Sequence, residues 1–180
     1  RFVRALHAAV PEAAGGPVSI DRAGVTVAQA MAIATLVSLA AITLLVFGVW
    51  GDRARAVSTL LPLFAAAVLT VGLGVALDVP FNYANVIALP MLLGAGIDSA
   101  IHVAARSRAT GSAAAMFGTS TPRSVVFSAL TTIASFGSLM ASAHRGVASI
   151  GSLLMIALTA TIVCTLALQP LADKWMLRRQ

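Results

Sequence analysis

An all-α fold, a polytopic bundle of transmembrane helices, is what this sequence predicts. Of its 180 residues, 59% are hydrophobic and only 10% are charged, whereas soluble domains carry about 25% charged residues. The mean hydropathy is +0.95, and apolar residues gather in runs separated by short polar connections. The net charge of +6 is explained by basic residues in those connections, which set membrane topology, rather than by a nucleic-acid partner.

Five segments meet or approach the length of about 20 mostly apolar residues that a spanning helix needs. The fourth is the shortest by hydropathy. The predicted spans are residues 27–49, 57–77, 84–105, 125–142 and 147–171. Together they define a transmembrane domain over residues 25–180.

Basic residues in the connections and the tail fall mostly on one side of the membrane. They are Arg53, Arg55, Arg106, Arg108, Arg123, Lys174, Arg178 and Arg179. Only Arg22 and Arg145 lie close to the membrane on the other side. Because connections rich in Lys and Arg stay in the cytoplasm, the C-terminus is predicted to be cytoplasmic and residues 1–24 external.

Residues 1–24 are interpreted as the end of an external soluble domain. A helix end is predicted in RFVRALHAA, stopped by Pro11, and a short strand over Pro17–Ile20. So short a segment cannot bury a core, so the rest of that domain is expected upstream. The chain is therefore interpreted as a fragment of a longer protein.

The connection 106–124 is too polar to span the membrane. Its segment Ser112–Phe117 is compatible with a short amphipathic helix on the inner surface or with a simple loop. Thr121 followed by Pro122 predicts the N-cap and first turn of the fourth span. The single cysteine, Cys164, is expected to be a small packing residue.

Asp98 is the one acidic residue well inside an apolar stretch. A carboxylate at such a depth costs roughly 3 kcal/mol on insertion scales, and such residues usually mark functional pathways. Gly94 and Ala95 have almost no side chain, so another helix can approach closely beside the carboxylate. Pro90 removes a helical hydrogen bond, which predicts a kink or hinge above the acid.

Two interpretations of Asp98 are weighed: a protonatable relay, and a brace that only hydrogen-bonds a neighbouring helix. The relay is favoured, because intramembrane carboxylates mark proton pathways. His102 lies near the inner surface and is interpreted as a hydrated or interfacial histidine rather than a second relay. No other His, Cys or acid occurs at ligand spacing on this face, so neither a metal nor a cofactor is expected.

A stripe of hydroxyl side chains follows one face of the fourth span. It consists of Ser128, Thr131, Ser135, Ser138 and Ser142, at spacings of 3, 4, 3 and 4 residues. Close helix packing and a hydrated face that serves Asp98 are both compatible with it. Thr131 is deep enough to meet Asp98, and Ser128 and Ser135 are expected to support packing beside the relay. Thr132 points about 100° away.

The run NVIALPMLLGAGID followed by IH, then SALTTIASFGSLM, AHRGVASIG and the closing Pro170, resembles the C-terminal membrane half of RND-superfamily exporters. The closest resemblance is to the MMPL-type branch associated with hopanoid lipid transport, and it covers essentially the whole chain. It implies two pseudo-repeated six-helix halves, each with an external domain after its first helix. On that basis this chain corresponds to the end of the second external domain and helices eight to twelve.

The resemblance also implies a site. In that family a GxxxD carboxylate in the fourth and tenth helices forms the proton-relay core, and the matching positions are Gly94 and Asp98. The eleventh helix offers a hydroxyl, and Thr131 is the matching position. Ser99 stands where many relatives have an aromatic residue and is counted with the relay.

The function implied is proton-motive-force-driven export of lipids or other hydrophobic molecules, with hopanoids as one candidate, and not enzymatic activity. The resemblance places the protein in a bacterial inner membrane, with residues 1–24 in the periplasm. The partners expected are the lipid bilayer, a hydrophobic substrate and the N-terminal half of the same transporter, and a homo-oligomer is compatible with this.

Three alternatives share some of these features. A SecD/SecF-like translocation component has the same architecture, although AHRGVASIG argues mildly against it. A sterol-sensing-like module would bind a lipid and regulate without transport. An intramembrane aspartyl protease is disfavoured, because GAGID has one residue more than the GxGD signature and no second membrane acid is available to share the proton.

Overall fold

Five long helices make up most of the structure, a computed structural model that describes residue 10 and residues 15–79, 81–111 and 113–177. The helices are α1 (Gly16–Trp50), α2 (Arg53–Ala76), α3 (Ala88–Thr110), the short α4 (Ala113–Phe117), α5 (Ser120–Gly137) and α6 (Arg145–Leu177). The 3₁₀ turns Asn85–Ile87 and Ser138–Ala141 precede α3 and follow α5. Five helices are long and apolar enough to cross a membrane. The predicted all-α, five-span fold is thereby confirmed.

The first helix begins well before the predicted span, at Gly16 rather than residue 27. The strand predicted over Pro17–Ile20 is wrong, because these residues form the first turn of α1. Pro17 favours a helix start, since its φ is already helical and its missing N–H has no partner to lose there. Residues 18–26 are more polar than a span, yet backbone hydrogen bonding continues through them. The helix end predicted in residues 1–9 lies outside the described residues.

The fourth span also begins earlier than predicted, and its N-cap is not Thr121. The N-cap residue is Thr119, with an extended backbone at φ −94° and ψ 172°. Its hydroxyl donates to the carbonyl oxygen of Met116 at 2.7 Å. Pro122 still lies in the first turn, where a helix needs no backbone donor. Of the two alternatives weighed for residues 112–117, the short helix α4 is the one that forms.

Helix α6 is the centre of the bundle and packs against α2, α3 and α5. Its packed face is built from small residues, among them Ala157, Ala160 and Cys164, all buried. Small residues let helix backbones approach closely, which is a main source of helix association in lipid. The packing role predicted for Cys164 is confirmed, since its side chain is buried with Ala66 and Ala160.

One end of the bundle is strongly basic. It is formed where α1 and α3 end, α2 and α5 begin, and α6 ends, and we call it the basic end. Asp52 caps α2 by accepting a hydrogen bond from the backbone N–H of Ala54 at 3.0 Å. Arg55 Nε lies 3.3 Å from Asp52 Oδ2. The Arg108 guanidinium lies 5.7 Å from the ring centroid of Trp50, so the ends of α1 and α3 are held together.

At the opposite end, a small polar cluster joins the start of α3 to α6. The side-chain amides of Asn82 and Asn85 each donate to Ser149 Oγ at 2.8 Å. Asn85 is fully buried, and its side-chain oxygen accepts from the backbone N–H of Asn82 at 2.9 Å. A buried amide with satisfied hydrogen bonds fixes the approach of the two helices more strictly than apolar contacts do.

Candidate functional site

Asp98 lies at the middle of the third span. That span runs over Asn85–Thr110, so Asp98 is about 18 Å from its basic end at 1.5 Å per residue. Its side chain is 77% exposed, because α3 turns its opposite face, with Leu92, Gly96 and Ala100, into the bundle. Asp98 is therefore on the outer surface of the five-helix bundle rather than packed within it.

His102 lies one turn beyond Asp98 towards the basic end and contacts it. The distance from His102 Nε2 to Asp98 Oδ1 is 3.4 Å, and the His102 side chain is 65% exposed. A neutral imidazole can accept a proton, and an imidazolium stabilises a neighbouring carboxylate. The structure thus brings an imidazole and a carboxylate into contact on the exposed face of α3.

An open groove of about 310 Å³ runs beside Asp98, between α3 and the first half of α5. The side chains that line it are Asp98, Ser99, His102, Ser120, Thr121, Ser124, Val125 and Ser128. All of them except Val125 carry a hydroxyl, a carboxylate or an imidazole. A groove so rich in hydrogen-bonding groups can hold water or solvate a charge at the level of the apolar spans.

Two residues singled out from the sequence, Ser99 and Ser128, share this groove with Asp98. Ser120 and Ser124 were not predicted to take part. A signal for them exists, because they continue the hydroxyl stripe from Ser128 back to the helix start at intervals of four residues. Hydropathy alone restricts the stripe to the apolar run and therefore does not include its polar beginning.

Thr131, which is expected to meet Asp98, does not line the groove. Its Oγ1 donates to the carbonyl oxygen of Ser128 at 2.7 Å, within its own helix. The hydroxyl of Ser135 donates in turn to the carbonyl oxygen of Thr131 at 2.8 Å. Both side chains are exposed. Beyond Ser128, the stripe is thus exposed at Thr131, Ser135 and Ser138 and half-buried at Ser142.

The small residues beside Asp98 lie on this exposed surface as well. Gly94 has open space where a Cβ would stand, and Ala95 is exposed, so no described helix approaches there. The close approach occurs at Gly96, where a Cβ would lie 2.6 Å from Leu63 Cδ1 and 2.9 Å from Thr161 Cγ2. Two residues correspond to about 200° of rotation around a helix, which separates the two faces.

Pro90 lies in the first turn of α3, directly after the 3₁₀ turn Asn85–Ile87. Proline at position 90 has no N–H for the carbonyl of Val86, but that carbonyl accepts from the N–H of Ala88, as does the carbonyl of Asn85. Pro90 therefore breaks no mid-helix bond. The hinge at Pro90 stays a prediction, and the nearest irregularity is the junction between 3₁₀ and α geometry, about three turns from Asp98.

Comparison with known proteins adds two relatives. No protein-family model matches the chain. A protein named hopanoid transporter HpnN, from Rhodopseudomonas palustris (strain TIE-1), is 38% identical over 172 residues. A protein of the same name from Burkholderia multivorans (strain ATCC 17616 / 249) is 37% identical over 171 residues. Each alignment covers 94% of this chain and 19% of the relative, so the chain spans about a fifth of their length.

These alignments include nearly all of the membrane helices described above. Both relatives are named as transporters, and this chain has five helices of membrane-spanning length and composition. The likeness therefore extends through the whole bundle rather than resting on one motif. The likeness to these two proteins confirms the resemblance of this chain to the MMPL-type branch of the RND superfamily.

Proposed function

We propose that this chain is the C-terminal membrane part of a proton-motive-force-driven transporter that exports lipids, with hopanoids as the substrate class. The observation that carries the proposal is the position of Asp98. It is a carboxylate at the middle of a span, 3.4 Å from His102, beside a groove of hydroxyls. Intramembrane carboxylates that line polar cavities mark proton pathways in pumps and transporters. Both relatives are named hopanoid transporters, and this supports the substrate class.

The outward position of Asp98 favours a relay shared with the rest of the transporter. An ionised carboxylate that faces hydrocarbon costs several kcal/mol, so this face of α3 needs a polar cover that the described helices do not provide. The relatives are about five times as long as the matched segment. A chain of that length has room for a second membrane half, which the family resemblance predicts to carry a matching carboxylate helix.

The remaining site residues find a role in the same arrangement. Gly94 and Ala95 leave the space in which a helix of the other half can approach Asp98 closely. Thr131 and Ser135, exposed on α5, face this half and hydrogen-bond it. Protonation of Asp98 removes a negative charge from the contact between α3 and the other half. Release of the proton through His102 and the groove that Ser99 and Ser128 line restores that charge. The proton gradient thereby biases two arrangements of α3, and the hinge near Pro90 lets them interconvert.

Orientation is part of the proposal: the basic end lies in the cytoplasm of a bacterial cell, and the protein resides in the inner membrane. In the full-length transporter, cysteines at Gly51 and Gly111 are expected to be shielded from a membrane-impermeant thiol reagent in intact cells. A cysteine at Ala143, at the opposite end, is expected to be labelled. Labelling of the Gly51 variant from outside would reverse the orientation.

Energy coupling is tested with the full-length protein in liposomes that contain a hopanoid. We expect an imposed proton gradient to increase hopanoid transfer several-fold over protein-free liposomes, because proton flow through the relay drives the conformational cycle. A protonophore should abolish the increase, whereas a potassium ionophore that leaves the pH gradient intact should preserve most of it. Hopanoid transfer that is unchanged by the protonophore would refute proton coupling but would still be compatible with a role in lipid transfer.

A further inference from the structure

The last helix carries a second polar stripe, and this one faces into the bundle. Thr161, Thr165, Gln169 and Asp173 follow one another at intervals of four residues on α6. Groups three or four residues apart on a helix share a face. The first three are buried, with exposures of 4%, 1% and 0%, and Asp173 is half-buried. At 1.5 Å per residue the stripe is about 18 Å long, more than half of the roughly 30 Å hydrocarbon thickness.

The stripe lies along the seam between α2 and α3. At the end of the stripe nearer the middle of the bundle, Thr161 packs against Gly96 of α3, whose missing side chain leaves room for it. At the basic end, the carboxyl of Asp173 is within hydrogen-bonding reach of Ser58 on α2 and Ser107 on α3, near the positive charge of Arg55. Between these ends, the buried residues of α3 include two with small side chains, Ala100 and Ala104.

Three polar atoms in this seam have no hydrogen-bond partner among the residues that the structure describes. They are the side-chain nitrogen and oxygen of Gln169 and the hydroxyl oxygen of Thr165. The Thr161 hydroxyl, by contrast, donates to the carbonyl oxygen of Ala157 at 2.8 Å. Pro62, buried on α2, has no N–H to offer the carbonyl of Ser58. Buried polar atoms in folded proteins nearly always have a partner, and where the protein supplies none, ordered water does.

We propose that this face of α6 lines a narrow water-filled crevice that opens at the basic end and ends near Thr161. Water molecules bridge Gln169 and Thr165 to the hydroxyls of Ser58 and Ser107. The single proton of the Ser58 hydroxyl can go to the carbonyl oxygen of Arg55, 2.9 Å away, or to Asp173. The Ser58 hydroxyl at the mouth of the crevice can therefore donate to either of these two acceptors.

This crevice is separate from the groove that contains Asp98. The two lie on opposite faces of α3, because Gly96 and Asp98 are about 200° apart around the helix. On the groove side, Val125 packs in an apolar cluster with Val103 and Met116, against which Ile162 and Leu166 of α6 also pack. The crevice brings water to the middle of the bundle, where polar residues serve ion and proton pathways, and its existence does not depend on Asp98 being a relay.

The test compares thiols at neighbouring positions of α6 in the full-length transporter. Native Cys164 is the matched control: it lies beside Thr165 at the same depth, is 6% exposed against 1%, and packs against Ala66 and Ala160. Thr165→Cys and Gln169→Cys are made in a Cys164→Ala background without other cysteines. Membrane vesicles then receive Ag⁺, a small hydrophilic cation that binds thiols, from the side that labels Gly51→Cys.

We expect the thiols at positions 165 and 169 to react at least about tenfold faster than Cys164, because hydrated thiols ionise and thiols buried among apolar groups do not. Reaction no faster than that of Cys164 at both positions would overturn the proposal. If Gln169→Cys fails to fold, the result for Thr165→Cys is decisive alone, because cysteine and threonine are close in size and this variant should fold. As a second measurement, Gln169→Leu should lower the thermal unfolding midpoint, because it removes the amide that hydrogen-bonds the water molecules in the crevice. A raised midpoint would indicate a dry seam and would also overturn the proposal.

Discussion

Asp98→Asn is expected to leave the full-length transporter folded and inserted while reducing proton-driven transport by roughly 100-fold or more, the usual effect of losing an acid–base group. Asparagine has nearly the same shape but cannot gain or lose a proton. The Asp98 side chain is 77% exposed and contacts His102, also an exposed residue, so the bundle itself should tolerate the neutral amide. The measurement is hopanoid transfer into proton-loaded liposomes, normalised to the amount of folded protein.

The matched control is Asp78→Asn. Asp78 is an exposed carboxylate just beyond the end of α2, outside the spans, with a φ of 52°. Asparagine adopts this left-handed conformation as readily as aspartate does, so the same chemical change is made without strain. Its transport should equal that of the wild type. Asp98→Glu should keep partial activity at best, because moving the reacting proton by about 1 Å can cost on the order of 100-fold in rate.

Wild-type transport by Asp98→Asn, with the proton gradient still required, would contradict the relay. Asp98 would then serve as a polar contact to the other half, and the proton would have to move elsewhere. Loss of folding in Asp98→Asn would point in the same direction. A relay needs the charge change but not the fold, so the two interpretations separate on the ratio of activity to folded protein.

The five spans could be predicted from the sequence, because hydropathy and length largely decide whether a helix can cross a bilayer. Where these helices begin could not. Backbone hydrogen bonding carries α1 back to Gly16 through polar residues, and Thr119 rather than Thr121 adopts the extended backbone of an N-cap. The pattern of apolar residues predicts neither the extension of α1 nor the choice of N-cap. Val18 and Ile20, both β-branched, favoured a strand that the helix-starting Pro17 overrides.

The face that each helix turns inward was also beyond the sequence. Both sides of α3 are apolar enough to be packed, so hydropathy does not reveal that Leu92 and Gly96 go in while Asp98 goes out. Which residue of α5 lines the groove with Asp98 depends on where the two helices approach each other. Ser128 lies at that approach, and Thr131 does not. The inward stripe on α6 was different, because its spacing of four residues was readable in advance. It was obscured by the continuous apolar run around Thr165.

Gly151→Ala is expected to destabilise the bundle by about 1–3 kcal/mol, the usual cost of overpacking a tight contact. The sequence predicts packing positions at Gly72, Gly74 and Gly151, and of these Gly151 has the closest neighbours while Gly72 has none within 4 Å. A Cβ there would lie 2.9 Å from the backbone nitrogen of Met140 and 2.9 Å from the carbonyl oxygen of Phe136. These are backbone atoms at the end of α5, so the turn itself would have to move.

Gly72→Ala is the matched control for that change. Nothing lies within 4 Å of the position of its Cβ, and alanine in a helix interior gains about 0.5–1 kcal/mol over glycine. Gly96→Ala should fall between the two, because its nearest contact is the movable end of Leu63. Thermal unfolding of the full-length transporter in detergent should therefore give midpoints in the order Gly72→Ala, wild type, Gly96→Ala, Gly151→Ala, from highest to lowest. Equal midpoints for the Gly72 and Gly151 variants would mean that α5 does not approach α6 at Gly151 as closely as described.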